Sequence, residues 1–265
     1  MPTITENILE ETCLSWLAEL GWGIVHGPDI APETPASERE DYRQVILWGR
    51  LRETLLKINH GIPASALDEV VRRIESIGGP DALVNNRAFH RLLTEGVDVE
   101  LPHCSADATN AIGGTRYRKI WLMDAAHPHN NDWLALNQYT VAENQRNRRA
   151  DVVLFVNGLP LALLELKNPG DENATIKHAY NQLQTYKRDV TSLFVTNALL
   201  VISDGIQARC GTISSGWDRF MPWRTVDGKT VASKGLPELE TTVRGLFRRD
   251  VFLDYILNYM VFEDA

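Results

Sequence analysis

The stretch that most constrains this chain runs from Ala150 to Pro169, A-D-V-V-L-F-V-N-G-L-P-L-A-L-L-E-L-K-N-P. Two apolar runs are joined through Asn157-Gly158, the strongest short-range signal for a β-hairpin. Both runs are apolar on both faces, the pattern of strands buried inside a sheet. Asp151 opens the first run, and Glu165 and Lys167 lie deep in the second. Such side chains are almost never fully buried unless paired, so their placement calls for a partner such as a metal ion. The plainer alternative is a buried ion pair of Glu165 with Lys167 or Arg149, although lone buried pairs seldom stabilise much.

Strand geometry makes this placement testable. Glu165 and Lys167 are two residues apart and share a face. A strict two-residue loop at Asn157-Gly158 pairs Asp151 with Leu164 and turns Glu165 to the opposite face. A loop of odd length, or a one-residue bulge, restores the parity. Pro160 removes a ladder donor and fits such an irregularity. If the carboxylates converge, they form a hard-cation site suited to Mg²⁺, which binds few protein groups. The ion lowers the pKa of bound water, and an adjacent lysine ammonium stabilises charge on a phosphate under attack. That is the chemistry of phosphodiester hydrolysis.

The chain has 265 residues, enough for one large domain or two small ones, and 44% are hydrophobic. A formal net charge of -8 argues against a nonspecific nucleic-acid coat. Local basic groups remain: Arg146, Arg148 and Arg149 directly before Asp151, Arg116 with Arg118 and Lys119, and Arg244 with Arg248 and Arg249. Each is either a solvated face or part of a channel; the first trio is the candidate DNA contact. Cys13, Cys104 and Cys210 are scattered and odd in number, which points to a reducing, cytoplasmic compartment. No leader precedes the first helical pattern, and no apolar run has the length of a membrane span. Asn173-Ala174-Thr175 matches a glycosylation sequon without further support. His127-Pro128-His129 lacks ligands at zinc spacing and reads as a polar loop. Ser214-Ser215-Gly216 is not a nucleophile elbow.

Periodicity predicts helices over 5–20, 41–59, 64–77, 81–95, 174–188 and 237–262, with a loop at 28–40. Strands are expected at 97–101, 117–123, 133–141, 192–196, 199–203 and 207–213, besides the hairpin. Residues 214–236 are rich in turns and carry Trp217, Phe220 and Trp223. The fold class is α/β, with a central mixed sheet flanked by helices and a helical N-terminal portion. The expected division is 1–100 mainly helical, 101–236 the core, and 237–265 a terminal helix.

The hairpin D-V-V-L-F-V-N-G-L-P-L-A-L-L-E-L-K-N-P, followed by N-Q-L-Q-T-Y-K, N-A-L-L-V-I-S-D-G-I-Q-A-R, F-M-P-W-R and G-L-F-R-R-D-V-F-L-D-Y-I, resembles the N-terminal nuclease region of the R subunit of Type I restriction-modification enzymes. That family belongs to the PD-(D/E)xK nucleases. The resemblance covers most of the chain and is clearest from about Asn137 to Phe262. It implies a restriction-endonuclease-like core that cleaves double-stranded DNA with Mg²⁺, Mn²⁺ substituting. Asp151 and Glu165 become the metal ligands and Lys167 the catalytic lysine. Gln182 and Tyr186 match the Q-x-x-x-Y motif associated with the nuclease site and DNA contact. Such folds often add a glutamate from the first helix: Glu11 is the choice, with Glu10 a close rival. The proline of the motif is Ala150 here, which removes no ligand.

The implied partners are DNA and the methylation and specificity subunits; ATP serves only a motor region. The phosphate loop G-x-x-x-x-G-K-[ST] of such a motor is absent, and Gly228-Lys229-Thr230 lacks its upstream glycine. The chain is therefore expected to be part of a longer polypeptide. Two rivals stand beside this expectation: a self-sufficient PD-(D/E)xK repair nuclease, and a non-catalytic docking module.

Overall fold

The computed structural model describes residues 5–101, 116–168, 175–233 and 235–263. Cys104, Pro169, Asn173, Ala174 and the Arg116 side chain lie outside the described residues.

The central hairpin pairs β5 (Arg146–Val156) with β6 (Leu159–Leu166), antiparallel. Asn157 and Gly158 have φ of 56° and 77°, the left-handed pair that a two-residue hairpin turn requires. The ladder runs Val156–Leu159 and Phe155–Pro160, then jumps to Leu154–Ala162, leaving Leu161 unpaired as a bulge. Beyond it Val152 faces Leu164, so one further step sets Asp151 beside Glu165. The bulge next to Pro160 thus supplies the parity that the carboxylates need.

Around this hairpin lies a six-stranded mixed sheet. β4 (Trp133–Glu143) pairs antiparallel with β5, and β1 (Gly23–His26) adds parallel outside β4. On the other side β7 (Leu199–Ser203) pairs parallel with β6, and β8 (Ala208–Gly211) closes the edge antiparallel. A separate two-stranded ribbon joins β2 (Val97–Leu101) to β3 (Arg116–Ile120).

The inner strands are buried on both faces, so they feed two cores. Val152, Leu154, Val156, Leu164 and Leu166 pack in one, with α1 (Glu6–Glu19), α2 (Trp48–Ile58), α3 (Ala64–Glu75), α4 (Ala82–Glu95), α6 (Glu238–Leu246) and α7 (Arg249–Asn258). Val153, Phe155, Leu163 and Ile202 pack in the other, against Ala179, Leu183 and Tyr186 of α5 (Ile176–Asp189). Strand alternation puts Asp151 and Glu165 on the α5 side. The α/β expectation holds, with the sheet arrangement of a restriction-endonuclease-like core. No helix among the described residues is long and apolar enough to cross a membrane.

Several elements differ from the sequence expectation. Ser192–Thr196 is not a strand: Thr191–Phe194 is a 3-10 turn that brings the chain from α5 back to β7, with the Ser192 amide held by Glu143. A short apolar run does not distinguish strand from helical turn. The terminal helix is two, because Arg248 adopts an extended backbone and the Phe247 carbonyl is taken by Trp22 Nε1 at 2.9 Å. The helix expected from residue 41 begins only at Trp48, since the Leu47 amide is spent on the Gly158 carbonyl at 2.9 Å. β1 was not anticipated at all; four residues are too few for a visible period.

The hairpin turn is also a packing surface. Asn157 is fully buried, its side chain bonded to Leu122 O, Asn131 and the Asp132 amide. A Cβ at Gly158 would stand 2.4 Å from Leu47 O, in a backbone conformation that side chains resist. Gly158→Ala should therefore destabilise the fold by on the order of 3 kcal/mol, left-handed strain and overpacking combined. Chemical denaturation measures this; an unchanged midpoint would mean that α2 is not seated on the turn.

Candidate active site

Asp151 and Glu165 come from adjacent central strands and are 7% and 0% exposed. Asp151 Oδ2 accepts the Leu166 amide at 2.7 Å. Glu165 Oε1 accepts from Lys167 Nζ at 2.7 Å, while Glu165 Oε2 is buried with no hydrogen-bond partner among the described residues. Lys167 leaves the strand with its amide on Ser203 O at 2.8 Å, and its ammonium also reaches Leu166 O and Glu6 Oε1 at 3.1 and 3.2 Å. Apolar strands thus hold two carboxylates and one cation largely out of bulk solvent.

The electrostatics follow. Burial pushes the Asp151 carboxyl up to about 7; the Leu166 amide and Lys167 pull it down, and Glu10 and Glu6 add to the rise. Burial, then the neighbouring Asp151, lifts Glu165 well above its ordinary range against the pull of Lys167. Burial works against the Lys167 ammonium, but Glu165, Asp151 and Glu6 outweigh it and leave its pKa raised. With both carboxyls ionised, the cluster would carry more negative charge than one lysine can balance. An orphaned buried carboxylate oxygen beside a second carboxylate is the donor set of a hard divalent cation. Among the described residues no group of three or more His, Cys, Asp or Glu side chains gathers as a metal centre. Asp151 and Glu165 are the two carboxylates that could hold such an ion, which would keep its remaining positions for water and substrate oxygens.

The other expected residues distribute unevenly. Tyr186 and Gln182 are one turn apart on α5. Tyr186 OH donates to Arg149 O at 2.8 Å and accepts from Gln182 Nε2 at 2.6 Å. The pair therefore pins the β5 backbone two residues before Asp151. Burial and the charge of Glu165 raise the Tyr186 phenol, so it remains a donor. Arg148 is engaged by Asp189, which Arg188 also binds at 2.9 Å. Arg146 and Arg149 are exposed. Asn147, Arg148, Arg149, Asn181, Gln182, Thr185 and Tyr186 line a groove of about 370 Å³ on this flank.

Glu11 is exposed, and the structure does not bring it to the cluster. Its neighbour Glu10 is 3% exposed and is held by Gln138 Nε2, 2.7 Å from each oxygen. The helix decides between them: buried Cys13, Leu14 and Leu17 lie three, four and seven residues after Glu10, one face of an α-helix. Glu6 and Gln138 carried no signal in the sequence. Gln138 sits in the left-handed region, φ 54°, within a strand, where register sets it opposite Asp151.

Residues 3–219 match the family described as the Type I restriction enzyme R protein N terminus. The chain is 36% identical over 263 residues to the Type I restriction enzyme HindI endonuclease subunit of Haemophilus influenzae, across 98% of this chain and 24% of that protein. It is 30% identical over 277 residues to the putative Type I restriction enzyme MjaIXP endonuclease subunit of Methanocaldococcus jannaschii, across 97% and 26%. The EcoprrI endonuclease subunit of Escherichia coli matches at 30% over 159 residues, 57% of this chain. The chain spans about a quarter of the length of the first two relatives.

A carboxyl whose folded pKa is raised favours folding at low pH and loses that contribution as pH climbs through the folded value, about 7 for Asp151. Without metal, Asp151→Asn should therefore gain stability over the wild type as pH rises from 5 to 8, by on the order of 5 °C in Tm at the upper end. Mg²⁺ should raise the wild-type Tm at pH 8 and leave the variant nearly unmoved. A pH-independent difference between the two proteins would mean that Asp151 is not held in this environment.

Proposed function

The chain belongs to the Type I restriction enzyme R protein N-terminal family, and from that premise we propose that it is the DNA-cleaving unit of such an enzyme, a metal-dependent endonuclease that hydrolyses phosphodiester bonds of double-stranded DNA. The observation that carries this reading is the buried Asp151–Glu165 pair with Lys167 bonded to one oxygen and the other left without a partner.

Asp151 and Glu165 would hold Mg²⁺, or Mn²⁺ in its place; when bound, the ion acidifies a water and offsets charge on a phosphodiester oxygen. The chain's own groups do the remaining work. The Leu166 amide fixes one Asp151 oxygen and so orients the other. Lys167, anchored by Glu165 and kept protonated, offers N–H donors to the charge that grows on the phosphate under attack. Tyr186 and Gln182 hold the strand that carries Asp151. Arg149 and Arg146 contact the DNA backbone beside the cleft. Arg148, already engaged by Asp189, ties β5 to the end of α5. Glu10 supplies negative charge near Asp151 in the role expected of Glu11.

Methylation and specificity subunits would select the DNA, and an ATP-driven motor region would deliver it; the 265 residues hold no phosphate loop of their own. These partners come from the family resemblance, and the relatives' names support the endonuclease role alone.

Calorimetric titration with Mn²⁺ and cleavage of supercoiled plasmid test the site together. Glu165→Ala should abolish metal binding while remaining folded. Lys167→Ala should keep metal binding and lose cleavage by on the order of 100-fold or more. Equal binding by wild type and Glu165→Ala would move the metal elsewhere and sink the assignment. Metal binding without cleavage of any DNA would favour a docking module, and vigorous cleavage with no ATP or partner a self-sufficient nuclease.

A further inference from the structure

α5 carries a second polar stripe that the catalytic cluster does not use. Its buried residues, Ile176, Ala179, Leu183 and Tyr186, divide the exposed surface in two. Gln182 and Thr185 line the cleft on one flank. Lys177, Tyr180, Gln184 and Lys187, at i, i+3, i+7 and i+10, form the other. With side chains included a helix is about 10 Å across, so the two flanks are that far apart.

On this second flank the aromatic cluster seen in the sequence finds its place. Tyr180 meets Trp217 and Phe220 edge-on, with ring centroids 5.5 and 5.3 Å away. Phe220 is buried against Gly211 of β8, where a Cβ would stand 2.6 Å from its ring, so the ledge is fixed to the sheet. Lys177 Nζ lies 4.2 Å from the Trp217 centroid and 4.6 Å from that of Tyr180, and the Arg209 guanidinium carbon lies 4.9 Å from Trp217. The two charges are therefore no more than about 9 Å apart.

The way these cations are held is informative. Arg50, Arg148, Arg188 and Arg244 are each bound to a carboxylate, which cancels their charge locally. Among the described residues Lys177 and Arg209 have no carboxylate partner; a ring orders them instead. A π face positions a cation without neutralising it or occupying its N–H donors. Asp218, next to Trp217 in sequence, lies 3.8 Å from Arg219. The surrounding segment is basic in an acidic chain: residues 175–224 hold six Lys and Arg against three Asp and Glu, while the whole chain holds 27 against 35.

We propose that the ledge of Lys177, Tyr180, Trp217 and Arg209 is a second contact for DNA, binding backbone phosphates on the flank of α5 opposite the catalytic cleft. It reads charge and not sequence, because Trp217 already has cations on its ring and offers no free platform for stacking bases. The inference rests on the proposed nuclease function for the identity of the polyanion, and its test separates the two.

The measurement is the affinity of the intact chain for a duplex as a function of salt, in Ca²⁺ to hold cleavage, beside a plasmid cleavage assay in Mg²⁺. Lys177→Ala/Arg209→Ala should weaken binding and lower the slope of log K against log salt by about two, one per lost phosphate contact. The charge-preserving exchange Lys177→Arg/Arg209→Lys should restore most of the slope. Arg72→Ala/Arg91→Ala, which removes two cations from α3 and α4, should leave the slope nearly unchanged. A full slope in Lys177→Ala/Arg209→Ala, or an equal loss in the α3/α4 control, overturns the ledge even where cleavage stands. Loss confined to the ledge variant supports it even if no cleavage is seen. No duplex binding by the wild type overturns it together with the nuclease reading.

Discussion

The structure depends on one unpaired residue. Leu161 bulges from β6, and because side chains alternate along a strand, that single insertion decides which face receives Glu165. Without it Asp151 would point into the core opposite Glu165 and Lys167, an isolated charge among leucines and valines. With it they share one face, and Lys167, two residues on, joins them. The bulge is stabilised locally: Pro160 has no amide to lose from the ladder, and Leu161 and Ala162 both pack in the same core instead of alternating. The hairpin turn repeats this economy. Asn157-Gly158 makes the left-handed turn, then serves as the seat for the start of α2 and for the Asn131–Asp132 loop.

Once the carboxylates converge, burial dominates every other effect. Neither Asp151 nor Glu165 can shed its desolvation by moving, because the strands bearing them are hydrogen-bonded on both edges. Three responses are visible. Lys167 closes on Glu165, the Leu166 amide closes on Asp151, and both carboxyls become weaker acids. One oxygen of Glu165 is left over. A purely structural ion pair would satisfy both of its oxygens, since an unmet buried acceptor costs about 1–3 kcal/mol. The residual imbalance is what a divalent cation would remove.

Much of this was legible in the chain. Asn-Gly between apolar runs announced the hairpin, and charges in those runs marked the candidate site. Parity arithmetic required a loop of odd length or a bulge for the carboxylates to converge, and a bulge is what forms. The failures have physical causes. Glu10 and Glu11 differ by 100° of helix, and counting Ile8 and Thr12 into the apolar stripe rotated the buried face; Ile8 is 45% exposed, whereas Cys13 is fully buried. Leu193 and Phe194 are apolar and covered, and covering says nothing about backbone shape. The break between α6 and α7 is set by Trp22, more than 220 residues away, whose indole takes the Phe247 carbonyl. Gln138 adopts its left-handed backbone in the strand beside Asp151 and donates to Glu10, and no local pattern records that long-range contact.

The charge of the chain now has an arrangement. A net -8 disfavours any polyanion at long range, yet screening confines exposed charges to about a Debye length, roughly 8–10 Å in ordinary salt. At that range the local surface governs. Around α5 the arginines before Asp151 and the cations on Trp217 flank one helix, and acids there are few and mostly engaged: Asp189 holds Arg148 and Arg188. The helix lies over β5, β6 and β7, so the element that completes the second core also carries Lys177 and presents Gln182 to the cleft. Fold and proposed function then share one requirement, since α5 must pack with Tyr186 inward, and that choice of face leaves Gln182 on one side and Lys177 on the other.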